Sequence, residues 1–520
     1  MNPNRRDFIK FVVAGSVAAG CPVDLALIAA PPAHQAGDSP LPEVDGEHNE
    51  VCHQVRDGHH FELPSVSARH EVVIVGGGVS GLTSAYLLGH RDWLLLEKEP
   101  HWGGNAYLEE YEGQAFATGA AFVDTSESAA LEFAKELGLE MLRVDNPDPS
   151  ILKGEFIADT WGAGLDRLPY PASVRESFKR FRKDVAAIPI KGREREVDAQ
   201  SFAKYMEGYA PEVKLWWDNF GPSNWGARTE ETSALLGLAT AKAVAVENYR
   251  DGRVTWPGGL GAITHRLAEK LAPTHAAQML TGTATVAVRP ARDAVEVTYV
   301  HEGQAKTVAA RAVIMATPKF ITWRLVEGLP AAQVDAMKQM RYIPYPVVNL
   351  VFDKPAFNRG YDTWCPGNTF TDFIVADWTL QRNKPDYHPK SNILTFYTPL
   401  RQDQRPLLLF EDGARDVAAR VLTDFQRLYP GSNIDPVEVH IYRRGHPLYM
   451  STPGCYTQVQ PLVRRPAGRV VFANTDSEGP ISSTNEGIIA ARRAVHEAEQ
   501  ILAGWPLAGP RSSKSLFVWA

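Results

Sequence analysis

"HEVVIVGGGVSGLTSAYLLGHRDWLLLEKE", residues 70–99, decides how the rest of this 520-residue chain is read. Val72–Val75 is an unbroken apolar run of the kind carried by a strand buried on both faces. Gly76, Gly78 and Gly81 then form G-x-G-x-x-G, Leu82–Leu88 has a helical apolar pattern, and "WLLLE" reads as a second buried strand ending at Glu97. In a strand–turn–helix unit the first glycine permits the tight turn. The second lets the backbone approach a pyrophosphate, and the third lets helix and strand pack closely. The helix start, at Val79 and Ser80, aims unpaired N–H groups and partial positive charge at the diphosphate. Glu97 stands about 20 residues on, where an acid accepts hydrogen bonds from ribose hydroxyls and repels a 2′-phosphate. Strand, turn, helix and acid together predict a Rossmann-like domain that holds an unphosphorylated ADP moiety.

The fingerprint alone does not separate FAD from NAD. The next stretch, "EKEPHWGGNAYLEEYEGQAFATGAAFVDTSESAALEFAKELGLE" (97–140), resembles the flavin-containing amine oxidase superfamily of monoamine and polyamine oxidases, protoporphyrinogen oxidases and carotenoid desaturases. The resemblance implies FAD. It places Lys98, Gly103, Gly104 and Asn105 near the cofactor, and a strand turn beside the flavin at Gly119 and Ala120. "WPGGLGAITHRLAEKL" (256–271) is similar to the family's glycine-rich loop and helix. "MLTGTATVAV" (279–288) with "AARAVIMATP" (309–318) is similar to the unit whose backbone contacts adenine, which implies a contact near Thr285. "GRVVFANTDSEGPISSTNEGIIAARRAVHEAEQIL" (468–502) is similar to the closing strand and flavin-capping helix. There the resemblance implies that Asp476 hydrogen-bonds the ribityl chain, and that Glu486, Gly487 and Ile488 begin the helix pointing at the flavin pyrimidine. Charge physics agrees, because reduced flavin is anionic and a helix N-terminus stabilises negative charge. Ala491, Val495, Ala498 and Leu502 form a packing stripe on the same helix.

The implied fold class is α/β, a Rossmann-like FAD-binding domain interwoven with an α+β substrate domain. The FAD domain is expected from 70–150, 251–325 and 440–508, and the substrate domain from 151–250 and 326–439. Trp216, Trp217 and Trp225 suit a core first and a pocket wall second. On the strand "YIPYPVVNLVFDKPAF" (342–357), where family oxidases commonly place a Lys facing the flavin through water, this chain offers Asn349. "PGCYTQVQP" (453–461) resembles the Cys-Tyr of monoamine oxidases, which makes Tyr456 a candidate pocket wall and Cys455 a flavin attachment point or an ordinary buried thiol. Tyr456 and Asn349 are the expected catalytic positions. The resemblance implies removal of a hydride equivalent from a C–N bond of a small amine-type substrate, with electrons passing to oxygen or a periplasmic carrier. The missing Lys keeps a desaturase or isomerase acting on an apolar C–C bond open. A flavin-carrying binding protein is the reading outside enzymes.

"NRRDFIK" (4–10) matches the twin-arginine export pattern, and the following apolar stretch is too short and interrupted for a membrane span. Residues 1–30 are therefore expected to be a signal read by the twin-arginine export machinery, which carries folded proteins and so suits one that loads a cofactor first. "VAAGC" leaves two readings, a lipid anchor at Cys21 or ordinary cleavage further on. The expected location is the periplasm, free or as an anchored lipoprotein, with residues 31–69 as a linker. Net charge is −7, and without a basic tract nucleic acid is excluded as a partner. The four cysteines include no C-x-x-C pair, so no metal is assigned, although Cys52 lies near His53, His59 and His60. A Cys365–Cys455 disulfide is compatible with export.

Overall fold

In the sheet centred on Val66–Val75, the residues Val72, Val73 and Ile74 have no solvent exposure, as the apolar run predicts. The computed structural model describes residues 40–248, 252–429 and 431–505. The twin-arginine motif and Cys21 lie outside these described residues. The sheet runs in the order Met279–Leu280, Trp93–Leu96, Val66–Val75, Gln304–Met315, Val295–His301, Thr283–Pro290. Gln304–Met315 pairs with Val66–Val75 along one edge and is long enough to serve two partners on the other. Its first half pairs antiparallel with Val295–His301, and its end pairs in parallel with Val470–Phe472. The helices Val79–Leu88, Gly261–His275 and Thr484–Leu502 pack with Val72 and Ile74 on one face. Val73 and Val75 pack on the other face with the hairpin and the helix Lys319–Leu325.

The second sheet has eight strands, in the order Glu43–Asp45, Glu438–Tyr442, Val347–Phe352, Asn392–Tyr397, Asp372–Val375, Asp362–Trp364, Ser150–Leu152, Glu155–Ile157. The helix Pro211–Trp225 joins its core. Pro211 suits a first helical position, where no intrahelical N–H partner is lost, and Gly226 ends the helix in the left-handed conformation. Trp216 and Trp217 lie 4.8 Å apart edge to face, and Trp161 is 5.2 Å from Trp216. Trp216, Trp217 and Trp225 are therefore core.

The structure departs from expectation in three places. The segment expected as linker carries structure from Glu43: Glu43–Asp45 pairs in parallel with residues 440–442, and the helix Glu50–Arg56 packs against Lys319–Leu325 and Thr283–Pro290. A three-residue strand and a seven-residue helix are too short to show a hydrophobic period. Glu438–Tyr442 and Ser150–Leu152 belong to the second sheet, although residues 440–442 and 150 were assigned to the FAD-binding domain. Cys365 and Cys455 are both free and buried.

Residues 117–121 lie at the seam between the sheets. Asn349 Nδ2 donates to Ala117 O at 3.1 Å and to Thr395 Oγ1 at 2.8 Å. Tyr397 Oη donates to Gly119 O at 2.7 Å, and Arg444 donates to both Thr118 O and Thr118 Oγ1. The second sheet thus holds a turn that the first sheet's ligand site needs.

Candidate functional site

The cradle begins where Val66–Val75 ends. Gly76 has φ +107°, which a side chain would strain, and a Cβ on Gly81 would stand 1.7 Å from Gly76 O. Gly78 is different. A Cβ there would meet its nearest protein atom, Gly104 Cα, at 3.8 Å, so the space beside it is open to a ligand. The helix Val79–Leu88 has Gly78 as N-cap and no side-chain cap, leaving its first N–H groups for a phosphate. Glu97 accepts from Gly77 N at 2.5 Å and from Glu99 N at 2.9 Å. Burial raises its pKa, opposed by Lys98 and these two N–H groups, and its remaining lone pairs are free for ribose hydroxyls. Gly103 N donates to Gly77 O at 3.0 Å, drawing the Gly103–Gly104 pair against the fingerprint. Thr285, next to a bulge in its strand, has a buried Oγ1 with no hydrogen-bond partner among the described residues. Uncapped helix, open glycine, placed acid and orphaned hydroxyl all face one cavity and fit the ADP half of FAD.

That cavity holds about 880 Å³. Gly76, Gly78, Val79, Ser80, Glu97, Lys98, Gly103, Gly104, Asn105, Gly119, Ala120 and Thr285 line it. Gly81 does not, because its part is the helix–strand contact. Burial works against the charge of Lys98, while Glu99, Glu47 and Glu97 around it raise its pKa.

The C-terminal assignments are corrected. Asp476 does not line the cavity. It has no exposure, and its carboxylate accepts from Lys319 Nζ, from Lys319 N at 2.9 Å and from Tyr342 Oη at 2.6 Å. Asn474 and Thr475 line the cavity instead. The capping helix starts at Thr484 with Ser483 as N-cap, so Ser482, Ser483 and Thr484 reach the cavity. Glu486, Gly487 and Ile488 lie further into its first turns. Gly487 O accepts from Ser80 Oγ at 3.0 Å, Ile488 is core, and a Cβ on Gly479 would strike Glu486. Neither expected catalytic position lines the cavity. Asn349 braces Ala117, and Tyr456 packs against the core of the second sheet. Cys455 is a buried thiol of that same stretch and also lies off the cavity.

Several lining residues escaped the sequence reading. From the second sheet Trp364 and Tyr397 line the cavity, with Tyr345 just before the strand Val347–Phe352 and Phe122 just after the seam. Tyr345 and Tyr397 meet edge to face at 6.0 Å. Glu47, Cys52, His53 and Arg56 line it from the N-terminal segment. His48 Nδ1 lies 2.8 Å from Glu99 Oε2, and Gly445 N donates to Glu47 Oε2 at 2.7 Å, tying that segment to both sides. Glu127 accepts from Asp124 N at 3.0 Å, while its Oε2 is buried with no hydrogen-bond partner among the described residues. Burial pushes its pKa up to about 7, and burial with the Glu127 charge pushes Glu486 up to about 8.

Two predictions follow from this geometry. G81A must displace the Gly76 backbone and is expected to yield little soluble protein, whereas G78A keeps the fold and binds FAD at least about tenfold more weakly. Melting curves and the flavin absorbance of purified protein check both. The second concerns pH. A folded-state pKa raised above the unfolded value means that stability falls as pH rises, here from about 4.5 through about 7 for Glu127. E127Q is expected to melt closer to wild type at pH 5 and above it at pH 8 in cofactor-free protein. Equal offsets at both pH values would contradict the assignment.

The sequence pattern of the family described as flavin containing amine oxidoreductase matches residues 79–498. The oxidoreductase PigB of Serratia sp. is 24% identical over 81% of this chain and 75% of its own. Flavin-containing amine oxidase B of Cavia porcellus is 26% identical over 83% of this chain and 86% of its own. Among solved structures, a mutant of putrescine oxidase aligns with TM-score 0.66 at 17% identity, covering 84% of this chain and 99% of its own. Cyclohexylamine oxidase from Brevibacterium oxydans aligns with TM-score 0.64 at 17% identity, again over 84% of this chain and 99% of its own. With a match spanning most of its length, the chain belongs to the flavin-containing amine oxidoreductase family and is an FAD-dependent oxidoreductase of the two-domain amine oxidase fold.

Proposed function

We propose that this protein is exported and removes a hydride equivalent from a C–N bond of an amine-type substrate. One observation carries the reading: a single cavity runs from the dinucleotide cradle at Gly78 and Glu97 to a chamber walled by Phe122, Tyr345, Trp364 and Tyr397. FAD, when bound, supplies the electron-accepting chemistry, so the protein's task is to bind, orient and exclude water. The twelve cavity-lining residues predicted from sequence would hold the cofactor, with Ser483 and Thr484 added at the helix start. Aromatic walls suit an amine because they pack against its carbon skeleton while leaving the nitrogen neutral and reactive. Electrons then pass to oxygen or a periplasmic carrier. The export signal supports a folded, cofactor-loaded protein crossing by the twin-arginine route. Cys21 is either the lipidated residue or part of the removed signal.

A second reading has its own observation. Among the described residues lining the cavity, the only lysine is Lys98 at the ADP end, so the chamber holds no Lys for oxygen-linked chemistry. That favours a desaturase or isomerase acting on an apolar C–C bond.

An anaerobic screen decides between them. Primary and secondary amines are expected to bleach the flavin, and readmitting air reports an oxidase through hydrogen peroxide. Bleaching by isoprenoids with no response to amines would install the second reading. Export is tested separately: R5K/R6K is expected to strand yellow protein in the cytoplasm, and undiminished periplasmic protein would remove the twin-arginine assignment.

A further inference from the structure

The segment just before the family match touches both halves of the molecule. Glu43–Asp45 is the edge strand beside residues 440–442 of the second sheet, and Arg443 N donates to Asp45 O at 2.8 Å. The helix Glu50–Arg56 lies across the seam, against Thr283–Pro290 and Lys319–Leu325. Cys52 and Val55 pack there against the apolar cluster that holds Val73 and Val75. Two polar anchors fix the crossing between strand and helix. Glu47 Oε2 accepts from Gly445 N at 2.7 Å and from Asn49 Nδ2 at 2.9 Å. His48 N lies 3.2 Å from both Glu99 carboxylate oxygens, and His48 Nδ1 lies 2.8 Å from Oε2. Glu47 has φ +52°, a left-handed conformation that is costly for a residue with a side chain and persists because these contacts hold it.

This crossing passes over the adenosine end of the cofactor cradle. Glu47, Asn49, Cys52 and His53 line the same cavity as Glu97 and Thr285. Burial raises the Cys52 pKa, and the charges of Lys98 and Glu97 act on its thiol, which puts the helix beside the ribose acid. Thr285, the orphaned hydroxyl of the adenosine site, belongs to the strand Thr283–Pro290 on which that helix rests. Glu99, which His48 meets, stands two residues beyond Glu97 and donates its own N–H to it at 2.9 Å. Wall and ribose acid are therefore anchored on one short stretch of chain.

We propose that residues 43–56 are a strap that closes the adenosine end of the FAD site, so that the cofactor enters and leaves only while the strap is released. A ligand held by the cradle alone leaves as soon as its own contacts break. With a wall tied to both sheets across the exit, opening of the wall precedes each departure. The strap is suited to open without the domains unfolding. Its strand has three residues, its helix seven, and the His48 side chain is 57% exposed. Few apolar contacts, exposed polar anchors and a strained turn mark a segment of low local stability. Linkage makes the effect reciprocal: a strap that retains FAD is itself held shut by FAD. None of this depends on which substrate is oxidised.

The test dilutes FAD-loaded wild type, E47A/H48A and E47Q/H48N and follows the flavin recovered in the ultrafiltrate over time. E47A/H48A is expected to release FAD at least about tenfold faster than wild type. E47Q/H48N, whose amides replace the acceptor for Gly445 and the donor to Glu99, is expected to return toward the wild-type rate. Hydrogen exchange in wild type needs no variant, and decides alone should E47A/H48A fail to fold. Amides of residues 43–56 are expected to exchange at least about tenfold more slowly with FAD bound than in cofactor-free protein. Those of Glu155–Ile157, the opposite edge of the same sheet, are expected to stay unmoved. A lower melting temperature of cofactor-free E47A/H48A with an unchanged release rate would make the segment a structural brace and overturn the strap. Exchange of residues 43–56 that ignores FAD, or an equal response at both edges, overturns it as well.

Discussion

Position 81 admits no side chain, because Gly76 O stands 1.7 Å from where its Cβ would be. That single contact fixes how the first helix leaves the first strand, and the remaining cradle follows from it. With the helix start held behind the strand end, its uncapped N–H groups face the cavity. The acid of the next strand comes close enough for Gly77 N to donate to Glu97. Gly77, to which the fingerprint assigns no role, is equally constrained. A Cβ there would meet the Trp102 ring at 2.5 Å and Glu97 Cβ at 2.8 Å. Three consecutive glycines therefore serve three different needs: a positive φ, a packed ring and an open face for a ligand.

The cofactor half is not independent of the substrate half. Residues 117–121 are held by Asn349, Tyr397 and Arg444, all from outside the dinucleotide sheet. Arg444 is 7% exposed, and burial lowers its pKa, yet it donates twice to Thr118, to O and to Oγ1. A residue expected to act on substrate, Asn349, instead holds the turn beside the cofactor site. Asn349 is a brace, and Tyr397 both walls the chamber and secures Gly119.

What was legible in the sequence follows from the range of each interaction. The apolar run at 72–75, the fingerprint and Glu97 interact within about 20 residues, so their pattern is local, and of them Val75, Gly76, Gly78 and Glu97 line the cavity. Lys98, Gly103, Gly104, Asn105, Gly119, Ala120 and Thr285 needed the family resemblance, and all reach the cavity. The misplacements have a common cause. At 476 and 486–488 the reading used motif position without knowing where the helix begins. Ser483 caps that helix by accepting from Glu486 N at 3.3 Å, so the cavity-facing residues precede the Glu-Gly pair. Asp476 was read as open because a sequence does not show that Lys319, 157 residues away, has taken its carboxylate.

The N-terminal segment shows the limit most sharply. It precedes the family match at residues 79–498 and has too few apolar positions to signal structure, yet Glu47, Cys52 and His53 wall the cavity. Its hold depends on Glu47 receiving the N–H of Gly445, 398 residues later, and on Glu99 meeting His48. A wall closed by contacts of that separation does not exist until most of the chain is in place. The cavity wall therefore depends on distant parts of the chain, although its cradle is written locally. The proposed export of a finished, loaded protein suits a wall built that way. A chain carried across a membrane unfolded would have to close that wall, and acquire its cofactor, on the far side.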